Sequence, residues 1–343
     1  MIKKTYSFIK NGVENDVYTL SNNFGASAQI LTYGARLVSL SVPTVNGDFL
    51  DVLVGPKTPE SFYDYPDYYG ATVGRVANRI EKGTFTLNGK QYFLDINQGN
   101  HSLHGGNTAN FDRAVWQAEV SENSLVLYHF SKDGSGGYPG NLQVWVTYTL
   151  TEENALEIDY YAKSDKDTVC SLTNHAFFCL SKEKSVKDSL LYINSNTITP
   201  VDNELVTHGQ FRNILGTAFD FSCSKPIGAD IESDEPMIER SKGYDVNYCI
   251  NRKTPKDLEL CATLFDGKTR IKLECFTTMP GVHLYSRKPS GKYLTELGYP
   301  ENCSVCLETQ YYPNSPNCDT YPSVVLRAGQ EYKHKTVYKF SLE

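Results

Sequence analysis

Apolar and polar side chains alternate with a period of two along much of this 343-residue chain. In "NLQVWVTYTL", Leu142, Val144, Val146, Tyr148 and Leu150 fall on one face and Gln143, Trp145, Thr147 and Thr149 on the other. That spacing predicts a strand with one side in a core. "EEN" breaks the run and "ALEIDYYAKS" resumes it, which predicts a hairpin. "SLVLYHF" is an earlier strand, joined to it through "SKDGSGGYPGN". Later runs of the same kind are "LLYIN", "DVNYCI", "LELCATLFD", "TRIKLECFTT", "GVHLYS", "CSVCLETQ" and "TVYKFSL". "NGK", "DGK" and "AGQ" mark turns between several of them. No amphipathic helix longer than a few turns stands out, and no strand–helix alternation argues for a Rossmann or TIM architecture. "GSGGYPG" links two strands instead of opening a helix, so it predicts a loop and not a phosphate cradle. The pattern predicts an all-β fold: a single large antiparallel β-sandwich, with residues 1–343 as one domain.

Four of these stretches place a polar or ionisable group among apolar neighbours. In "CSVCLETQ", Val305, Leu307 and Thr309 share one face, and Cys306, Glu308 and Gln310 the other. A buried unpaired carboxylate is costly, so Glu308 must meet a partner, a ligand or water. Periodicity alone favours a solvent-exposed rim for it. In "SLTNHAFFCL", Thr173, His175, Phe177 and Cys179 alternate with Asn174, Ala176, Phe178 and Leu180, which places His175 on a strand. "KGYDVNYCI" sets Asp245, Asn247 and Cys249 against Val246, Tyr248 and Ile250. "PGVHLYS" sets His283 against Val282 and Leu284. One such group is ordinary. Four in an all-β chain suggest a sheet face lining a polar pocket.

Two segments without strand alternation add donors. "GRVANRIEKG" carries Arg75, Asn78 and Arg79, and "NHSLHGG" carries His101 and His104 before two glycines suited to a tight turn. Asn78, Arg79 and His104 are donors of the kind that hold hydroxyl groups, and the same types also anchor loops. His101 and His104 lack a third ligand at metal-site spacing, so no metal is expected.

Composition narrows the partners. With 33 basic and 40 acidic residues the formal net charge is −7, which argues against a nucleic-acid surface and a polybasic membrane patch. No signal peptide and no membrane-length apolar run are visible, so a cytoplasmic location is expected. Nine cysteines then read as reduced thiols. Cys303 and Cys306 form a C-x-x-C without the helix of a redox motif or the second pair of a zinc site, and read as inert.

Taken in order, the segments "GATVGRVANRIEKGTFTLNGK", "HSLHGG", "FDRAVW", "DGSGGYPGNLQVWVTYTLTEENALEIDYYAKSDKDT", "LTNHAFFCL", "FDF", "GYDVNY", "TTMPGV", "CLETQYYP" and "VVLRAGQEY" resemble the aldose 1-epimerase (galactose mutarotase) family over nearly the whole chain. The resemblance implies the family's large β-sandwich with an open sugar cleft. It implies interconversion of the α and β anomers of a free pyranose such as galactose or glucose, with a monosaccharide as partner and no cofactor. The family's glutamate base matches Glu308 and its histidine acid matches His175. Its hydroxyl binders match Asn78, Arg79, His104 and Asp245. The expected site holds acid and base on opposite sides of the ring, with the histidine tuned upward to act as imidazolium.

The chain departs from the family at His283, where glutamine is usual. It departs again at Phe178 and Cys179, at Asn314 and in "SRKPSGK". These departures bear on which sugar is preferred. Two other readings stay open: a sugar-binding or regulatory module without turnover, and an epimerase for a phosphorylated sugar using Arg75 and Arg79. The oligomeric state is left open.

Overall fold

The computed structural model describes residues 1–65, 67–286, 296 and 298–343. "SRKPSGK", apart from Ser286, lies outside the described residues. Three antiparallel sheets dominate. The strands Ile2–Lys10, Val13–Ser21, Ser27–Leu31, Arg36–Pro43 and Phe49–Asp51 form a five-stranded meander in chain order. A nine-stranded sheet runs Gln117–Ser121, Ser124–Ser131, Leu142–Leu150, Ala155–Ser164, Glu331–Leu342, Ile271–Thr277, Glu259–Phe265, Leu190–Ile193, Lys225–Pro226. A six-stranded sheet runs Phe177–Phe178, Val305–Gln310, Gly281–Tyr285, Asp245–Cys249, Thr197–Thr199, Arg212–Asn213. Pro236–Ser241 is a short α-helix, and no helix among the described residues is long and apolar enough to cross a membrane.

The period-two reading holds where the runs are long. Leu142–Leu150 and Ala155–Ser164 pair as the expected hairpin, Leu142 opposite Ser164 and Leu150 opposite Leu156. Leu142, Val144, Val146 and Tyr148 are fully buried, while Trp145 lies on the other face between Tyr128 and Tyr161, with ring centroids 5.0 and 5.3 Å away. The six-stranded sheet turns Val246, Tyr248, Val282, Leu284, Val305 and Leu307 into the same core. The two large sheets touch where the Tyr338 hydroxyl donates to the Leu307 carbonyl at 3.1 Å and the Phe178 and Tyr338 rings meet at 4.8 Å. Burying six such side chains, at about 1.5–3 kcal/mol each, holds the sheet by one face. Its other face is left for polar groups.

"SLTNHAFFCL" is not the continuous strand that alternation predicts. Thr173–Asn174 pairs with Thr72–Val73, and Phe177–Phe178 pairs with the Val305–Cys306 end of the six-stranded sheet. His175 lies at the changeover. Its backbone is held by two bonds, its amide donating to the Ala71 carbonyl and its carbonyl accepting from Gly70. Both sides of this segment are buried, so a hydropathy pattern cannot distinguish a strand from a crossing between sheets.

Candidate active site

The polar face of the six-stranded sheet forms a grid. His283 pairs with Glu308 on one side and with Asn247 on the other, and Tyr285 pairs with Cys306 and with Asp245. Antiparallel register therefore brings the polar positions of "CLETQ", "GVHLY" and "DVNYC" onto one surface. Glu308 is 2% exposed and His283 3%, so the solvent-exposed rim suggested by periodicity is incorrect for Glu308. Both faces of its strand are covered, one by core and one by the groups described next.

His175 enters from the crossing segment with Nε2 at 3.4 Å from Glu308 Oε1. Its ring stacks on Phe177 and Tyr68, with centroids 4.9 and 5.7 Å away. The 75–80 and 101–106 segments supply the remaining wall. Arg79–Ile80 pairs with Ser102–Leu103, a two-residue ladder too short for alternation to reveal. Beyond it Gly105, at φ +93°, packs so closely that an added Cβ would lie 2.0 Å from the Gly74 carbonyl oxygen. The glycine turn expected after His104 is thus sterically required.

The donors interlock. The Asn78 amide N–H donates to His104 Nδ1 at 3.1 Å, and Asn78 Oδ1 accepts from the Arg79 amide at 2.8 Å. Arg79 Nε donates to Gln98 Oε1 at 2.6 Å, and its Nη2 lies 3.8 Å from Asp245 Oδ2. Asp245 Oδ1 is 2.8 Å from His283 Nε2, which is 3.5 Å from Asn78 Nδ2. The structure therefore brings Asn78, Arg79, His104, His175, Asp245, His283 and Glu308 together. Sequence reasoning missed Tyr68, Gln98 and Cys306 as parts of the site. Only Cys306 carried a signal, as a member of the Glu308 face.

Charge at the centre differs from expectation. Burial pulls the His175 imidazolium down to about 3, against a smaller upward pull from its own backbone carbonyl. Burial raises the Glu308 carboxyl well above its usual range, the Asp245 charge adding to the effect and Arg79 opposing it. The upward tuning expected for the histidine is thus reversed, because desolvation penalises both charged forms. Its pair with Glu308 favours the uncharged arrangement, a carboxylic acid beside a neutral imidazole. The expected placement on opposite sides of the ring also needs correction, since the two groups stand side by side.

A nitrogen from each of His104 and His175 and an oxygen of Glu308 lie within 4.8 Å of one another, near enough to bracket an ion. His104 does not suit that use. Its Nδ1 already accepts the Asn78 amide, and burial keeps it neutral, so its hydrogen sits on Nε2 and the ring donates. His101 stands apart, its Nδ1 accepting the Lys82 amide and its Nε2 3.4 Å from Glu204.

Two further sequence readings change. Arg75 does not face the site. Its buried guanidinium donates to the Ser131, Lys132 and Pro139 carbonyls at 2.8–2.9 Å, which removes it from any phosphate subsite. Among the described family departures, Phe178 and Cys179 are core, and Asn314 braces a loop by accepting from the Glu81 amide and donating to Thr207. His283 alone of these lies in the polar cluster.

Comparison with known proteins agrees with this geometry. The family model for aldose 1-epimerase matches residues 16–339. The galactose mutarotase of Bos taurus is 38% identical over 322 residues, covering 91% of this chain and 90% of the relative. The aldose 1-epimerase of Haemophilus influenzae is 35% identical over 353 residues, covering 99% and 100%. The solved aldose epimerase homologue of C. elegans superposes with a TM-score of 0.86 at 31% identity, covering 94% of this chain and 98% of that one.

Proposed function

The chain belongs to the aldose 1-epimerase family, and from that premise we propose that it interconverts the α and β anomers of free hexoses, galactose and glucose foremost. The observation that carries this reading is the 3.4 Å contact of Glu308 with His175 inside a ring of hydroxyl-binding groups. The names borne by the mutarotase relatives point the same way.

Opening a hemiacetal removes the proton from the C1 hydroxyl and delivers one to the ring oxygen. Those two oxygens are both bonded to C1, so an adjacent acid and base suit the task. Moving the pair's one proton from Glu308 to His175 Nε2 gives carboxylate and imidazolium. The carboxylate then takes the O1 hydrogen while the imidazolium gives its Nε2 hydrogen to the ring oxygen, and the C1–O5 bond breaks. Rotation about C1–C2 presents the other aldehyde face. Closure reverses both transfers and regenerates each group. A positioned acid and base contribute about 10²–10⁴-fold each. Proton transfers accompany the cleavage and re-formation of C1–O5 with no net oxidation or reduction, so the chemistry calls for neither metal nor redox cofactor. Asn78, Arg79, His104, Asp245 and His283 hold the hydroxyls and so fix the ring.

One domain carries this site, as a hydrophobic cluster shared by all three large sheets supports. Nine free thiols suit a reducing compartment such as the cytoplasm. The test is polarimetry on freshly dissolved α-glucose and α-galactose, extended to other hexoses and pentoses. Faster equilibration than in buffer is expected. Sugar binding by calorimetry with no acceleration on any sugar of the panel would replace the proposal with a non-catalytic sugar module.

A further inference from the structure

Cys306 was set aside in the sequence as half of an inert C-x-x-C, yet it lies at the centre of the site. Its strand position, two residues before Glu308, puts both side chains on the polar face, and its neighbours across the ladder are Phe177 and Tyr285. Cys306 Sγ is 3.5 Å from His175 Nδ1, while Nε2 on the other edge of the same ring faces Glu308 Oε1 at 3.4 Å. The imidazole is held by its stacking on Phe177 and Tyr68, with interplanar angles of 23° and 24°. A ring packed in this way cannot exchange its two nitrogens by turning about Cβ–Cγ without displacing its neighbours. What is left to decide is which nitrogen carries the hydrogen.

We propose that Cys306 is a positioning residue for His175: its sulfur accepts the Nδ1–H, so that Nε2 faces Glu308 as the basic nitrogen of the free enzyme. One observation points to this tautomer, and the state of the thiol is compatible with it. Glu308 Oε2 is buried without a hydrogen-bond partner, a poor setting for a carboxylate but a tolerable one for a carboxylic acid donating through Oε1. A thiol buried this deeply stays protonated, since burial raises Cys306 well above the usual thiol range, so the sulfur is neutral and can accept weakly from Nδ1–H. In the first step of turnover the Glu308 O–H bond breaks and the His175 Nε2–H bond forms. The imidazolium so made has both hydrogens placed, one on sulfur and one toward the ring oxygen of the sugar. The sulfur therefore selects the nitrogen that receives the proton and does not itself touch substrate. The bond made at one ring nitrogen sets the tautomer seen at the other, the usual logic for histidine.

This inference rests on the epimerase reading for its kinetic arm only. The direct test is nitrogen NMR of the whole protein labelled with ¹⁵N-histidine, His175 being assigned from a His175→Gln variant. A protonated Nδ1 and an unprotonated Nε2 at neutral pH are expected. The opposite tautomer would overturn the proposal, whether or not any sugar is turned over. In the kinetic arm, Cys306→Ala is expected to lower kcat about tenfold, the value of one hydrogen bond, with KM unchanged. Cys306→Ser, which restores an acceptor, should recover most of the loss. A Cys306→Ala enzyme with wild-type kcat and an unaltered His175 tautomer refutes the positioning role. If the alanine variant does not fold, the wild-type tautomer and the serine variant still decide the matter. A wild-type protein that accelerates no mutarotation defeats the proposed function and leaves the tautomer measurement standing.

Discussion

Glu308 places one oxygen on His175 and leaves the other without a hydrogen-bond partner. Removing its ability to exchange a proton, as in Glu308→Gln, should cost at least about 10²-fold in kcat, read by polarimetry under saturating sugar. A rate within twofold of wild type would remove it as base. The same variant has a thermodynamic signature. The folded-state pKa of Glu308 is raised from its ordinary 4.5, so its contribution to stability is whole below that value and is lost as pH rises through the folded one. The melting temperature of Glu308→Gln relative to wild type should therefore climb between pH 4.5 and 8, and a flat difference would contradict the raised pKa. At His283, bonded to Asp245 at 2.8 Å, a His283→Gln change keeps a donor and an acceptor but alters reach. It should shift the ratio of KM for galactose and glucose several-fold and leave kcat little changed; a ratio unchanged from wild type would make His283 a bystander. Of these residues, period two in the sequence identified the face of Glu308, Asp245 and His283. It could not say what lay above that face, because alternation records sides and not neighbours.

Among elements, the long strands were legible and the short ones were not. Leu142–Leu150 and Ala155–Ser164 span enough residues for alternation to register, whereas the two-residue ladders of Arg79–Ile80 and Thr173–Asn174 offer one residue per face. Arg79 lies in one of these short pieces, and Asn78, His104 and His175 lie next to them or to their partners. They are positioned by single close contacts, so small changes there act at a distance. Gly105→Ala would force a Cβ against the Gly74 carbonyl at a φ of +93°. The expected result is a lower melting temperature together with a raised KM, because His104 is the preceding residue. A Gly105→Ala protein with unchanged KM would show that the turn is only structural.

Across the whole molecule, four histidines are held neutral mainly by burial: His129 and His334 are pulled down to about 4, His175 to about 3, and His104 well below its ordinary range. A depressed folded pKa means that their contribution stands above the ordinary 6.5 and is lost as pH falls toward 4. Each adds a slope of about 1.4 kcal/mol per pH unit in that window. Glu308 and the buried Asp112, both shifted upward, act in the opposite sense and reduce the net. Urea unfolding measured from pH 7 to 4.5 should show stability falling steeply, with uptake of about two to three protons per molecule near pH 5. A stability independent of pH over that range would mean the histidines are charged in the folded state.

The amino-acid order alone determined that this chain is made of strands and which residues share a face, because side-chain period and chemical type are local properties; the match of a base to Glu308 and an acid to His175 came only with the family resemblance. It also carried the motifs by which the family is recognised. Only the tertiary structure decided that Glu308 and His175 stand beside each other, that Arg75 is a brace and Cys306 a neighbour of His175, and that desolvation disfavours charge on both members of the pair. Those outcomes depend on inter-strand register and on what covers each group, and both are set by contacts between residues as far apart in the chain as 175 and 308.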